Sequence, residues 1–323
     1  MLMEQKYGKR KIDIDYKTYK MITTTENEIT SIRYQSDFID TTAREVMKEP
    51  MGTIPYLESE YRNPRPGEEY GTAEVKVYSK FVEAETFRFT AKYRSGIVDD
   101  LKTFGIDGNR ELLDNLVTEG KHRAEASILK KYIELAQKNA DNINTSTRWK
   151  RFLYNTLKIK PVRYVKEKDL GKTLVSYSNL IANISRRGYA NFAVVNSSIA
   201  SILQDHPGFA YLNPGDVSMK EAGSIYCIGV IFNIKIFVNP WMKHTDTRIL
   251  LGRTTNESNP GVYYLEYSKE IIRAEQSEYA QETQCHFYDR SAIVNVGNTV
   301  HTSYFIFTAD FGKKPLWRKI LGL

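Results

Sequence analysis

The chain lacks every common signature of catalysis. No GxxxxGK[ST], no GxGxxG after a strand, no GxSxG and no HExxH occurs in its 323 residues. That removes the motif-based cases for nucleotide, acyl-transfer and zinc-peptidase chemistry. Cysteine is scarce: Cys227 and Cys285 are the two present, and neither has a CxxC partner. No disulfide framework is available from such a pair. Cys227 lies in Ile225-Tyr226-Cys227-Ile228-Gly229-Val230-Ile231-Phe232 and reads as a small buried apolar residue. The five histidines, at 122, 206, 244, 286 and 301, are far apart in sequence. His122 falls on the polar side of a predicted helix and reads as solvated, while His301 reads as an edge residue. The neighbours Cys285 and His286 would point to opposite faces of a strand, which disfavours a nucleophile and base pair. Asp99-Asp100-Leu101-Lys102 reads as an ordinary helical turn rather than a cation site.

Long apolar runs are missing too. The longest, 225–238, is broken by Asn233 and Lys235 and is too short to cross a bilayer. Met1 to Lys20 is charged and lacks the apolar centre of a secretory signal. These absences lead to the expectation of a soluble protein made in a reducing compartment, not an enzyme, with no cofactor, metal or membrane partner.

What is present is a long amphipathic helix, expected over about 108–138. Its apolar or small residues fall at 113, 116, 117, 120, 124, 128, 132, 135 and 136, a three-and-four spacing that forms one stripe. Glu111, Glu119, Lys121, Arg123, Glu125, Lys130, Lys131, Glu134 and Lys138 are assigned to the opposite, polar face. No proline interrupts the run, so it should extend roughly 40 Å at about 1.5 Å per residue. A rod of that length fits a flat or elongated architecture better than a compact pocketed one.

The formal net charge of +7 is uneven. Arg148 to Lys168 carries eight basic residues against Glu167, and the tail holds Lys313, Lys314, Arg318 and Lys319 with no acid. Such clusters suit phosphate or an acidic protein partner as well as they suit a solvated surface. Arg148-Trp149-Lys150-Arg151-Phe152-Leu153-Tyr154 interleaves bases with aromatics, as single-strand binding would need. An amphipathic helix docking its aromatic side explains the same pattern.

Residues 1–50 read as an extended polar arm that must lie on another part of the protein or on a neighbour. A long β-hairpin follows within 54–93. Ile54 to Arg62 forms one strand, Ala73 to Tyr78 belongs to the return, and Asn63 to Gly71 is dense in turn formers and charge. A hairpin polar on both faces is expected to project. Further on, Asp169 should cap a helix that ends near Arg186, with Gly188 just beyond it. Ala190 to Asn196 reads as a buried strand and Ser197 to Leu203 as the start of a helix stopped by His206-Pro207-Gly208. Tyr226 to Val238 reads as a hairpin with Asn233 at positive φ. Thr247–Arg253, Val262–Tyr267 and Ser303–Phe311 complete the strands. One helix, strand, helix unit followed by a run of strands is α+β rather than a doubly wound sheet.

Three separated stretches resemble the major capsid protein of T-even-type tailed phages. Glu49-Pro50-Met51-Gly52-Thr53-Ile54-Pro55-Tyr56-Leu57 is similar to the segment entering that family's extended loop. Thr86-Phe87-Arg88-Phe89-Thr90-Ala91-Lys92-Tyr93, through Asp99-Asp100-Leu101-Lys102 to Gly105-Ile106-Asp107, is similar to its strand, short helix and lead into the spine helix. This is the most specific of the three. Gly188 to Asn196, then Gly229-Val230 to Phe237-Val238-Asn239-Pro240, resembles a later strand and hairpin, extended by Leu250-Leu251-Gly252-Arg253 and Gly261 to Leu265.

The resemblance implies the Hong-Kong-97-type capsid fold. In that frame 1–50 is an N-terminal arm and 51–93 the extended loop. Residues 94–168 form a peripheral domain on the spine helix, 169–245 an axial domain, and 246–323 strands returning to the peripheral domain plus a tail. It also implies self-assembly into hexamers, with pentamers as a further form, tiling an icosahedral shell around double-stranded DNA. Vertex, portal, scaffold and decoration proteins are the other expected partners. The paralogous vertex protein is an alternative role, and a basic nucleic-acid-binding protein is the alternative from another class. The location implied is the virion, after synthesis in the host bacterial cytoplasm. The surface insertion of T-even relatives is expected to be absent, and Leu2-Met3-Glu4 faintly resembles a processing site. The hairpin is expected to lie across an adjacent subunit, with Arg62, Arg65, Glu68 and Glu69 setting register, and the arm 1–50 to wrap a neighbour. Lys150, Arg151 and Lys158 are expected on a basic inner surface facing DNA.

Overall fold

A computed structural model of the chain describes residues 19–23, 30–62, 72–105, 108–143, 163–186, 188–212, 223–254, 261–274, 282–297 and 300–311. Its first pieces are a hairpin of β1 (Tyr19–Thr23) and β2 (Thr30–Tyr34), then a 3-10 turn at Ile39–Thr41 and β3 (Ala43–Val46). Among the described residues the long strands β4 (Met51–Arg62) and β5 (Thr72–Glu83) pair only with each other, as a two-stranded sheet. After β6 (Glu85–Arg94) come α1 (Ser95–Thr103) and the spine helix α2 (Gly108–Ile143). The extended loop is therefore 51–83, and β6 belongs to a different sheet from the hairpin.

A seven-stranded sheet forms the axial layer, in the order β7 (Arg163–Tyr164), β15 (Tyr304–Asp310), β12 (Arg248–Gly252), β8 (Phe192–Val195), β11 (Ile234–Val238), β10 (Tyr226–Ile231) and β9 (Phe209–Tyr211). Helices α3 (Leu170–Ser185) and α4 (Ser197–Gln204) belong to the same layer. The four residues of β8 are all buried, as expected of a strand covered on both faces. The peripheral layer is a four-stranded sheet in the order β3, β13 (Val262–Ala274), β14 (Glu282–Asn295), β6. This corrects the expected division at 246. Strands β12 and β15 stay in the axial sheet, and only the hairpin β13–β14 returns to the peripheral one.

Local signals behave as their chemistry requires. The Asn196 side chain accepts the Ile199 N–H at 2.8 Å and caps α4. Phe232 and Asn233 both have positive φ, 50° and 63°, the geometry of a two-residue primed hairpin turn between β10 and β11. Asp169 precedes α3 without a side-chain cap bond, and its carbonyl takes the Thr173 hydroxyl instead. Arg186 in the left-handed region closes that helix.

The spine helix runs 36 residues, about 54 Å at the standard rise. Leu116, Val117, Ala124, Ile128, Tyr132, Leu135 and Ala136 are all buried, joined in one core with Phe192, Phe237, Tyr264, Phe287 and Tyr304. Gly120 lets the helix approach the sheet: a Cβ there would collide with the Tyr34 hydroxyl and the Phe287 ring. Tyr34, Phe38 and Ile39 are fully buried in this same core. The expected arm is thus corrected from Thr30 onward, because β2 contacts β13 and residues 34–46 pack on their own subunit.

Candidate assembly surfaces

The β4–β5 hairpin is packed on one face, from its root as far as Glu58, and exposed at Val75, Val77 and Phe81 on the other. Ile54 and Val82 bury against Tyr263, Leu265, Ala292 and Val296 on the four-stranded sheet. Lys80 donates to the Asn295 carbonyl at 2.8 Å, and Tyr56 stacks on Tyr78 across the pair at 5.6 Å. The alternate residues of both strands point the other way. In register, Thr53 faces Phe81, Leu57 faces Val77 and Ser59 faces Val75. Val77 is 72% exposed, Phe81 64% and Val75 58%. A row of apolar side chains on one face of a two-stranded sheet is what a covering partner needs. Two strands alone are also too few to be stable in isolation.

Beneath the root, the peripheral layer buries charge. Arg44 donates to Glu266 at 3.0 Å, to Asp40 at 2.9 Å and to the Tyr34 carbonyl at 2.9 Å. Lys269 donates to the same Glu266 oxygen, Oε1, at 2.6 Å and lies 4.2 Å from the Tyr34 ring centroid. The Tyr34 hydroxyl donates to Asp289 at 2.8 Å. Burial raises the Asp289 carboxyl against the pull of Lys269. Burial would raise Glu266 as well, but Lys269 and Arg44 outweigh it and hold that carboxyl below its usual range. The cluster fastens residues 34–44 to β13 and β14, so the entry to the hairpin is fixed in place.

The spine helix adds a second buried pair. Lys121 and Glu125 are 1% and 2% exposed, which corrects their assignment to the polar face. Glu125 accepts the Ser36 hydroxyl at 2.6 Å and the Ile225 N–H at 2.9 Å. It therefore ties the segment before β3 to the start of β10. Burial lowers Lys121 from the ordinary lysine range to about 8, with Glu125, Asp37 and Asp40 opposing. His122 is also less solvated than expected: its ring meets Trp241 edge-on at 6.1 Å and Nδ1 lies 3.9 Å from Glu119.

Of the predicted contact residues, Arg65, Glu68 and Glu69 lie outside the described residues, as do Lys150, Arg151 and Lys158. Arg62 is the last residue of β4. Among the described residues no group of three or more His, Cys, Asp or Glu stands close enough to hold a metal ion, and no helix is long and apolar enough to cross a membrane. Cys285 is buried while His286 faces out to Arg88 and Thr90, as opposite strand faces require. The grooves flanking the spine helix are open, one against Phe87 and Ser291, the other against Ile225 and Trp241.

A projecting two-stranded finger, a spine helix on a four-stranded sheet and a separate seven-stranded layer define the Hong-Kong-97-type capsid fold of tailed phages. A solved structure from Microbacterium phage Oxtober96 is similar at a TM-score of 0.50 and 12% identity, covering 89% of this chain and 94% of that one. Another, from Mycobacterium phage Cain, is similar at 0.50 and 10% identity, covering 86% and 92%. The chain belongs to the family of the major capsid protein Gp23, whose model matches residues 4–296. It is a structural protein of a phage capsid shell. No curated protein matches it.

Proposed function

We propose that copies of this chain form hexamers, and pentamers where the shell closes, and tile an icosahedral head that encloses double-stranded DNA in the virion. The protein performs no catalysis in this role; its work is done by surfaces that complete themselves on other copies. The observation that carries this reading is the hairpin face bearing Val75, Val77 and Phe81, exposed although its root is firmly packed. The hairpin lies across an adjacent subunit, with Arg62, Arg65, Glu68 and Glu69 selecting register. Each such charge pair is worth little when exposed, yet it recurs at every subunit. The match to the major capsid protein model favours the shell role over the vertex role. The arm that reaches a neighbour is drawn from the residues upstream of Thr30.

Deletion of residues 60–72 tests the reading. The expected product is a folded, soluble subunit that forms no shells by electron microscopy; shells of normal form would contradict it. The basic inner surface of Lys150, Arg151 and Lys158 contacts DNA without sequence preference. Charge reversal at the three should weaken packaging, and unchanged packaging would assign them to subunit contacts instead.

A further inference from the structure

The groove on the axial side of the spine helix stands open. It holds about 620 Å³ between α2, the start of β10 and the exit of β11, over Ala126, Leu129, Ile133, Ile225 and Trp241. Trp241 is 72% exposed, yet its ring is held. The indole N–H donates to the Gly223 carbonyl at 2.7 Å, and the backbone N–H to the Asn239 side chain at 3.0 Å. His122 meets the ring edge-on. Gly223 sits at a φ of 78°, where a Cβ would stand 2.8 Å from the His122 ring. A fixed, exposed tryptophan beside an apolar floor is a ready anchor for a second surface. Glu119 and Glu134 share the rim with Arg123 and Lys130, so charge does not choose the occupant. Reach and apolar pattern do.

The chain itself supplies one that fits. Strand β15 is antiparallel to β12, β12 is antiparallel to β8, and β8 is parallel to β11. Strands β15 and β11 therefore leave the sheet at the same end, separated by β12 and β8, or by about 14 Å. Trp241 follows the exit of β11; residues 312–323, outside the described residues, follow the exit of β15. A stretch of that length spans up to about 40 Å. The groove also leads the right way. Asn139 donates to the Tyr304 carbonyl of β15 near one end of α2, and Glu125 takes the Ile225 N–H nearer the other. Leu316, Trp317, Ile320 and Leu321 form two pairs four residues apart, the spacing that gathers side chains on one side of a helical turn. We propose that residues 312–323 fold back over the end of the axial sheet and dock these four side chains in the groove, strapping β15 to the spine helix at Trp241. Lys313, Lys314, Arg318 and Lys319 stay in solvent. Tethering gives the chain's own segment an effective concentration of about a millimolar, which favours it over the same segment of a second copy. The inference is independent of where the hairpin goes.

The experiment reads Trp241 directly in the full chain. Trp149→Phe with Trp317→Phe leaves it as the sole tryptophan and keeps an aromatic ring at 317. Acrylamide quenching should be weak in that background. Adding Leu316→Ser, Ile320→Ser and Leu321→Ser should raise it about threefold, as uncovering a large ring implies. Equal quenching in the two chains would overturn the inference. So would protection that fades on dilution, which would make a second copy the occupant. Disulfide trapping decides the matter should the serine variant not fold. Leu321→Cys with Ala126→Cys should close a bridge within one chain on oxidation, undisturbed by Cys227 and Cys285, which are buried. Leu321→Cys with Lys131→Cys, in the groove on the other side of α2, should not. No bridge to position 126, equal bridging to both positions, or a bridge between chains would each overturn the proposal.

Discussion

Two hairpins of this chain meet opposite fates. In β10–β11, Cys227, Ile228, Ile231, Ile234, Ile236, Phe237 and Val238 are all buried, because β8 pairs with one edge, β9 with the other, and the spine helix and α4 lie against the layer. In β4–β5, Val75, Val77 and Phe81 stay in solvent on the face opposite the one that Ile54 and Val82 bury. Both are antiparallel ladders carrying apolar residues, β10–β11 with a register shift between Cys227 and Gly229. The difference is where the covering surface comes from. One hairpin finds it within the chain and contributes to subunit stability; the other needs a further copy and contributes to assembly.

The largest effect should come from attacking the first hairpin. Phe237→Ala removes a fully buried ring that meets Phe38 and Phe192 and should cost about 3–5 kcal/mol of subunit stability, read as a lower urea midpoint. Next is Lys269→Ala, which strips the cation from between Glu266 and Asp289 and should cost about 3 kcal/mol, as breaking a buried pair does. Because that cluster fixes residues 34–44 under the hairpin root, protease cleavage near Arg44 should rise with it.

A third test uses pH. Lys121 is lowered to about 8 by burial, so between about pH 8 and the ordinary lysine range the unfolded chain holds a proton that the folded one has released. Stability should therefore rise with pH across that window, by at most about 1.4 kcal/mol per unit for one group. Lys121→Met should flatten the rise, seen by comparing urea midpoints at pH 8 and 10 in both proteins; an identical slope would reject the buried lysine. The smallest effect on the subunit belongs to the second hairpin. Val77→Ser should move stability by no more than about 0.5 kcal/mol while reducing assembly measurably by light scattering. A change large in stability and absent in assembly would erase the contrast between the two hairpins.

Much of this was legible in the chain. The spine helix declares itself through spacing and the absence of proline, and the Phe232-Asn233 turn through its sharp reversal between apolar runs. Other features were hidden for physical reasons. Lys121, four residues after Val117 and three before Ala124, and Glu125 fall within the apolar stripe by spacing. Their charge alone suggests the polar face, and the partners that accompany their burial, Ser36 and Ile225, lie 89 and 100 residues from Glu125. Strand β14 escaped notice because Asp289 and Ser291 occupy inward positions where an apolar alternation would be sought. Strand β13 seemed to stop at Tyr267 because a register shift between Glu266 and Ser268 changes its phase. The runs Ile249-Leu250-Leu251 and Tyr304 to Phe307 announce strands, but which sheet each joins is set by pairing with β8 and with each other, contacts distant in sequence. The hairpin's charged tip contributes to the reading through its sequence alone.

Sedimentation of the purified full-length chain tests the central claim most directly. The account predicts capsomers or whole shells, many subunits in size, that lose mass when the hairpin face is made polar. A species that stays a monomer or small oligomer at every concentration would contradict it.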